Sequence, residues 1–102
     1  DIVSGIISAI DNKNNIKCEI YNLGNSSPVT LNEFISTCET VTKKNAKYNQ
    51  IDHQLGDVPH TYADISKAKK DLQYNPVTTL TNGLNKLSDY LDTIDTINTD
   101  ND

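Results

Sequence analysis

The feature that most constrains this chain's fold is a change in the spacing of its apolar residues, from the helical interval to the strand interval and back. Ile2, Val3, Ile6, Ile7 and Ile10 recur as one helix face. Asp1 stands where an N-cap is wanted, and Asp11-Asn12-Lys13-Asn14-Asn15 closes the helix as a polar loop. Over Cys18-Glu19-Ile20-Tyr21-Asn22-Leu23 the pattern alternates and stops at Gly24, which predicts a strand. Gly24 to Pro28 is a loop. Thr30-Leu31-Asn32-Glu33 then spells a capping box: the Thr30 hydroxyl can accept from the Glu33 amide while the Glu33 side chain reaches back. Leu31, Phe34, Ile35, Cys38 and Val41 form the stripe of this second helix. It ends near Lys43-Lys44, whose charges suit the negative end of the helix dipole. Lys47 to Ile51 reads as a second, short strand.

Strand, helix and strand joined by short loops make a crossover unit, so the two strands are expected to be parallel and the crossover right-handed. Asp52 to Ala63 is irregular and holds Gly56 and Pro59. Asp64 can cap a short helix from Ile65 to Leu72, and Asn75-Pro76 breaks the chain. Thr79 or Thr81 caps a last helix carrying Leu80, Leu84, Leu87 and Leu91 on one face, either as core or as a seam against another lobe. The order helix-strand-helix-strand-helix-helix assigns the chain to the α/β class, with helices around a short parallel two-stranded sheet. Residues 1–91 are expected to form one domain. Residues 92–102 repeat Asp, Thr, Ile and Asn and are expected to be an acidic, disordered tail.

Charge and cysteine content narrow the function. Nine Lys and no Arg face 14 acidic residues, for a net charge of −5. Lys43-Lys44 and Lys69-Lys70 are isolated pairs, and nucleic acid or an anionic membrane needs a clustered positive face. No apolar run approaches the roughly 20 residues of a membrane span. Cys18 and Cys38 are too few for a disulfide scaffold and wrongly spaced for a redox pair; Cys38 falls on an apolar stripe and reads as a buried thiol. A reducing, cytoplasmic setting is expected. His53 and His60 lie seven apart with Asp52, Asp57 and Asp64 nearby, but the spacing converges no set of three or four metal ligands, and no nucleophile is paired with either His. The chain contains no Met, and Asp1 leads straight into the first helix, so the 102 residues are expected to be a piece of a longer polypeptide.

Several runs in sequence order carry a resemblance. Glu19-Ile20-Tyr21-Asn22-Leu23-Gly24-Asn25-Ser26-Ser27-Pro28-Val29-Thr30-Leu31 is followed by Gln54-Leu55-Gly56-Asp57-Val58-Pro59-His60-Thr61-Tyr62-Ala63-Asp64-Ile65-Ser66-Lys67-Ala68, and then by Leu72-Gln73-Tyr74-Asn75-Pro76. With the opening Asp1-Ile2-Val3-Ser4-Gly5-Ile6, these runs resemble the small C-terminal, substrate-binding lobe of nucleotide-sugar epimerases, the extended short-chain dehydrogenase/reductase enzymes, from Asp1 to about Tyr90. Gln54 two residues before Gly56-Asp57 is similar to UDP-glucuronate 4-epimerases, since UDP-galactose epimerases tend to carry Arg there. Leu55 departs from the Pro usual in the glucuronate group.

The resemblance implies a two-lobed parent that converts UDP-glucuronate to UDP-galacturonate with NAD, by removing a hydride at C4 and returning it to the other face. NAD would sit in an N-terminal Rossmann lobe, through whose helices the parent would form a homodimer. That lobe's Gly-rich turn and Tyr-x-x-x-Lys pair are not in this sequence; Tyr62 to Ser66 is the nearest approach, with Ser in place of Lys. The chain alone is therefore expected to bind UDP-sugar without epimerising it.

The substrate-binding candidates are Gln54, Gly56, Asp57 and Thr61. Gly56 permits close backbone approach or a positive φ. Gln54 offers donor and acceptor together. Asp57 is a fixed acceptor, able to bind ribose hydroxyls or to hold the loop's own amides. In the family this loop closes over the UDP end of the substrate, which implies uridine-nucleotide contacts for Gln54 and Asp57. Thr61 falls where some relatives place a nucleotide-contacting Tyr. Asn22 and Gly24, at a strand end, sit where α/β folds often take ligands, though turn chemistry accounts for both residue types as well. Two other readings use the same residues: a stand-alone, non-catalytic binding module, and a lobe of a related sugar-nucleotide dehydratase or decarboxylase.

Overall fold

The computed structural model describes residues 1–12, 18–52, 55–56 and 62–99. They contain four helices, α1 (Ile2–Asp11), α2 (Leu31–Thr42), α3 (Ser66–Leu72) and α4 (Leu80–Thr99). The chain divides into two compact units. One comprises Asp1–Pro28 with His53–Val77, and the other Val29–Asp52 with Thr78–Asp102.

In the first unit α1 packs on α3. Ile65, Ala68, Leu72 and Tyr74 form the buried cluster, with Tyr21, Leu23 and Ala63 packed against it. Removing an Ile or Leu side chain from water contributes about 1.5–3 kcal/mol each, which makes α3 with its flanking residues Ile65 and Tyr74 the anchor of this unit. Gly5 is the buried residue of α1. A Cβ there would lie 2.8 Å from both Leu23 methyls and 3.2 Å from the Tyr74 ring, so glycine at this position lets α1 approach the cluster.

α3 ends at Gln73, which takes the left-handed conformation (φ 55°), and the Gln73 and Tyr74 amides both donate to the Ala68 carbonyl. That reversal swings the Tyr74 ring under α3, where its hydroxyl donates to the Gly24 carbonyl at 2.9 Å. At the start of α1, Asp1 accepts the Gly5 amide through its carbonyl, while its carboxylate accepts the Val77 amide at 3.2 Å rather than capping the helix.

In the second unit α2 packs along α4. The Thr30–Glu33 capping box forms as read: the Glu33 amide donates to the Thr30 hydroxyl at 3.2 Å and the Thr30 amide to the Glu33 carboxylate at 2.8 Å. Of the two candidate caps for the last helix, the structure uses Thr79, whose hydroxyl accepts the Asn82 amide at 3.2 Å. α4 continues to Thr99 and so takes in residues 92–99 of the segment expected to be a tail.

The expected parallel two-stranded sheet is not present: no strand occurs among the described residues, and the fold is helical with extended connections rather than α/β. Cys18–Leu23 and Lys47–Ile51 keep their alternating sequence, but neither has a backbone ladder. A strand becomes stable when its amides are paired and one face is covered. Tyr21 and Leu23 pack on the buried cluster, but Ile20 is 83% exposed, Tyr48 and Ile51 are about two-thirds exposed, and no second strand pairs with either segment among the described residues. Side chains take backbone acceptors of the first segment and the glycine after it instead: the Ile20 carbonyl accepts from the Lys67 ammonium and the Gly24 carbonyl from the Tyr74 hydroxyl.

Candidate functional site

Of the four residues singled out for substrate, Gly56 is described. It sits in a turn with Leu55, at φ +94°, and a Cβ built on it would meet no atom of the described residues within 4 Å. The glycine is there for its backbone conformation, which side-chain-bearing residues rarely adopt, and not for packing. Leu55 beside it is wholly exposed. Gln54, Asp57 and Thr61 lie outside the described residues, as do His53 and His60.

The described chain resumes at Tyr62, which is exposed, and within three residues reaches the core at Ile65, 2% exposed. Between them, Asp64 accepts the Ser66 hydroxyl at 2.6 Å and the Ser66 amide at 3.1 Å. The hydroxyl first, and the amide second, hold the Asp64 carboxyl below the usual carboxylate value. The exit of the candidate loop is thus fixed by an aspartate turn at the head of α3 and by a buried isoleucine.

A polar clamp beside this exit was not singled out from sequence. Lys67 and Asp71 are one turn apart on α3. Glu19 and Tyr21 are two residues apart on the extended segment. One helical turn and two extended residues cover similar lengths, about 6 Å, so the two pairs can meet side by side. Lys67 pairs with Glu19, and the Tyr21 hydroxyl donates to Asp71 at 3.0 Å. The Lys67 ammonium lies 5.0 Å from the Tyr21 ring centroid, and the Asn12 amide donates to the Asp71 carbonyl at 3.2 Å. Partial burial, and then the Asp71 carboxylate, push the Tyr21 phenol above its ordinary value. Both members of the Lys67–Glu19 pair are about half exposed, so that pair contributes little stability by itself. The sequence signal for the clamp was matched spacing of one opposite-charge pair and one donor–acceptor pair, Glu19-x-Tyr21 against Lys67-x-x-x-Asp71.

Gly24 is explained by packing: a Cβ there would come 3.0 Å from that of Ala63. Asn22 is exposed. Cys38 is half-buried and Cys18 exposed; both are free. An open groove of about 320 Å³ lies along α1 and α3, where Ser8, Asp11 and Asp71 face it. Among the described residues no three His, Cys, Asp or Glu side chains converge as metal ligands, and no helix is long and apolar enough to cross a membrane.

No protein-family model matches the chain. It is 43% identical over 72 residues to protein CapI of Staphylococcus aureus, a stretch covering 71% of this chain and 22% of CapI. It is 36% identical over 98 residues to UDP-glucuronate 4-epimerase 2 of Arabidopsis thaliana, covering 84% of this chain and 23% of the plant enzyme. Among solved structures it superposes with a TM-score of 0.80 and 33% identity on a mutant UDP-glucuronic acid 4-epimerase from Bacillus cereus, in complex with UDP-4-deoxy-4-fluoro-glucuronic acid and NAD. That match covers 91% of this chain and 30% of the Bacillus chain. The chain thus spans less than a third of the length of these relatives.

Proposed function

We propose that this chain, which is homologous to the C-terminal region of UDP-glucuronate 4-epimerases, is the substrate-binding portion of an NAD-dependent nucleotide-sugar epimerase acting on UDP-glucuronate. The observation that carries the reading is the likeness, over 91% of the chain, to an enzyme holding a UDP-glucuronic acid analogue and NAD.

In this reading the segment around Gly56 receives the uridine nucleotide. Gly56 supplies a turn at φ +94°. Asp57 accepts hydrogen bonds from ribose hydroxyls, Gln54 offers its amide as donor and acceptor to the nucleotide, and Thr61 adds a hydroxyl. Asp64, Ser66 and the buried Ile65 hold the end of that segment. Hydride removal and return at the sugar is the chemistry NAD supplies when bound. The chain's four glycines, Gly5, Gly24, Gly56 and Gly83, make no Gly-rich dinucleotide turn, and no Tyr-x-x-x-Lys pair is present, so cofactor and proton transfer belong to the rest of the parent.

The test is a chimera in which these 102 residues replace the matching portion of the Bacillus enzyme. It is expected to interconvert UDP-glucuronate and UDP-galacturonate. Asp57→Ala is expected to raise KM for UDP-glucuronate about tenfold or more, the loss of hydrogen bonds to a charged group, with a smaller change in kcat. A folded, NAD-binding chimera without that activity overturns the substrate assignment. An unchanged KM in Asp57→Ala overturns the assignment of the site.

A further inference from the structure

Residues 19–24 lie extended against α3 without a ladder, so strand pairing does not set how far along the helix they sit. Alternation sets only which side faces inward: Tyr21 and Leu23 pack on the buried cluster, while Ile20 and Asn22 are exposed. A slip of two residues, about 7 Å, would keep the same side inward. The bond from the Tyr74 hydroxyl to the Gly24 carbonyl does not forbid that slip, since every residue brings a carbonyl. The polar clamp does forbid it. The Lys67 ammonium binds the Glu19 carboxylate and the Ile20 carbonyl, and one turn further on Asp71 accepts the Tyr21 hydroxyl. A slip one way sets Glu19 opposite Asp71, two like charges. A slip the other way sets Leu23 opposite the Asp71 carboxylate and takes Glu19 away from Lys67.

At the far end of these residues the register decides what meets Ala63. A Cβ on Gly24 would come 3.0 Å from that of Ala63, closer than side chains ordinarily approach. Slipped registers bring Asn22 or Ser26 to that place, and their Cβ atoms would push Ala63 away. Ala63 joins the end of the Gly56 segment to Asp64 and the buried Ile65. We propose that Lys67 is a positioning residue for that segment: by fixing the lengthwise register of residues 19–24 on α3, it brings Gly24 rather than a residue with a Cβ against Ala63, where the segment ends. This deepens the functional reading above and rests on it. Lys67 and Glu19 are about half exposed, and such a pair adds little stability, so the contribution of Lys67 lies in placement.

The experiment uses the Bacillus chimera and the isotopically labelled 102-residue chain. Lys67→Met keeps the apolar stem and removes the ammonium. In the chimera it is expected to raise KM for UDP-glucuronate about fivefold, with kcat and Tm nearly unchanged. Lys67→Arg offers a charged donor to both acceptors and is expected to hold KM within about twofold of the parent chimera. In the labelled chain, the Ala63 and Gly56 amide resonances are expected to shift on Lys67→Met while those of α2 stay in place. An unchanged KM in a folded Lys67→Met chimera overturns the proposal, and so does a fall in Tm and kcat with no rise in KM, which would make Lys67 a stabilising surface contact. If Lys67→Met does not fold, Glu19→Gln with Tyr21→Phe removes the register contacts from the other side, and an unchanged KM there overturns the proposal equally. Shifted Ala63 and Gly56 resonances beside a chimera that does not turn over UDP-glucuronate leave the positioning standing and remove the functional assignment alone.

Discussion

In the unit of α1 and α3, Ile65, Ala68, Leu72, Tyr74 and Gly5 are withdrawn from water; in the unit of α2 and α4 no described residue is. The first unit also ties distant parts of the chain together through Tyr21–Asp71, Asn12–Asp71 and Tyr74–Gly24, each spanning 50 or more residues. In the second, the capping box and the Thr37, Thr40, Thr42 and Thr93 hydroxyls, which donate to carbonyls four residues back, act within single helices. One unit is held by tertiary burial, the other mainly by local helix chemistry and a partly covered seam. Units of the second kind open at low free energy.

The largest test of this contrast is a pair of leucine truncations. Leu72 is 6% exposed and Leu87 50%. Leu72→Ala is expected to cost about 3 kcal/mol, transfer and cavity terms together, and Leu87→Ala less than about 1 kcal/mol, because half of that side chain is already in water. Chemical denaturation followed by helix content reads both. Equal losses would break the contrast between the units.

A pair of helical glycines sharpens it at smaller size. Gly5→Val is expected to destabilise by about 2–3 kcal/mol, since its Cβ meets both Leu23 methyls at 2.8 Å inside a packed cluster. Gly83 lies in the first turn of α4, and a Cβ there would meet the Thr78 methyl at an ordinary 3.6 Å. Gly83→Ala is therefore expected to stabilise by about 0.5–1 kcal/mol through the lower backbone entropy of alanine. Opposite signs in the same denaturation assay are the expected outcome. Smaller again is Thr30→Ala, which removes one half of the capping box and is expected to cost about 1 kcal/mol. The amides of α2 are expected to lose exchange protection while those of α3 keep theirs.

Local chemistry was the legible part of this sequence. Thr30 with Glu33, Thr79 before Leu80, and Asn75-Pro76 after α3 act over a few residues, so the information for each is contiguous. What failed was inference about covering. The Cys18–Leu23 alternation marks a segment suited to a ladder, but suitability does not supply a partner, and Ile20 remains in water. The α1 periodicity identified a helix correctly, but which side meets the core was set by Gly5, a residue that apolar patterning ignores. For the candidate site, a special backbone at Gly56 could be read from glycine and its neighbours, and φ +94° agrees. The Lys67–Glu19 and Tyr21–Asp71 clamp was hidden because it joins residues about 50 apart, and pairing at that separation becomes visible once the helix and the extended segment lie side by side.

The smallest expected effect concerns pH at the head of α3. Asp64 binds the Ser66 hydroxyl and amide in its charged form, so its folded carboxyl titrates below the ordinary value near 3.8. A folded value below the unfolded one means that the unfolded chain takes up the proton first as acid is added. The contribution of this turn is therefore complete above the unfolded value and is lost as pH falls through the folded one. Because the carboxylate is exposed, the loss is expected to be smaller than that from Leu72→Ala, Gly5→Val or Thr30→Ala. Ser66→Ala removes the first cause of the shift and part of the second's geometry, and is expected to move the Asp64 titration, followed by its carboxyl carbon resonance, back toward the ordinary value. It should also flatten the acid limb of α3 unfolding while leaving that of α2 in place. A titration that does not move on Ser66→Ala would mean that Ser66 is not what holds the Asp64 carboxylate, and the exit of the Gly56 segment would then be fixed by the burial of Ile65 alone.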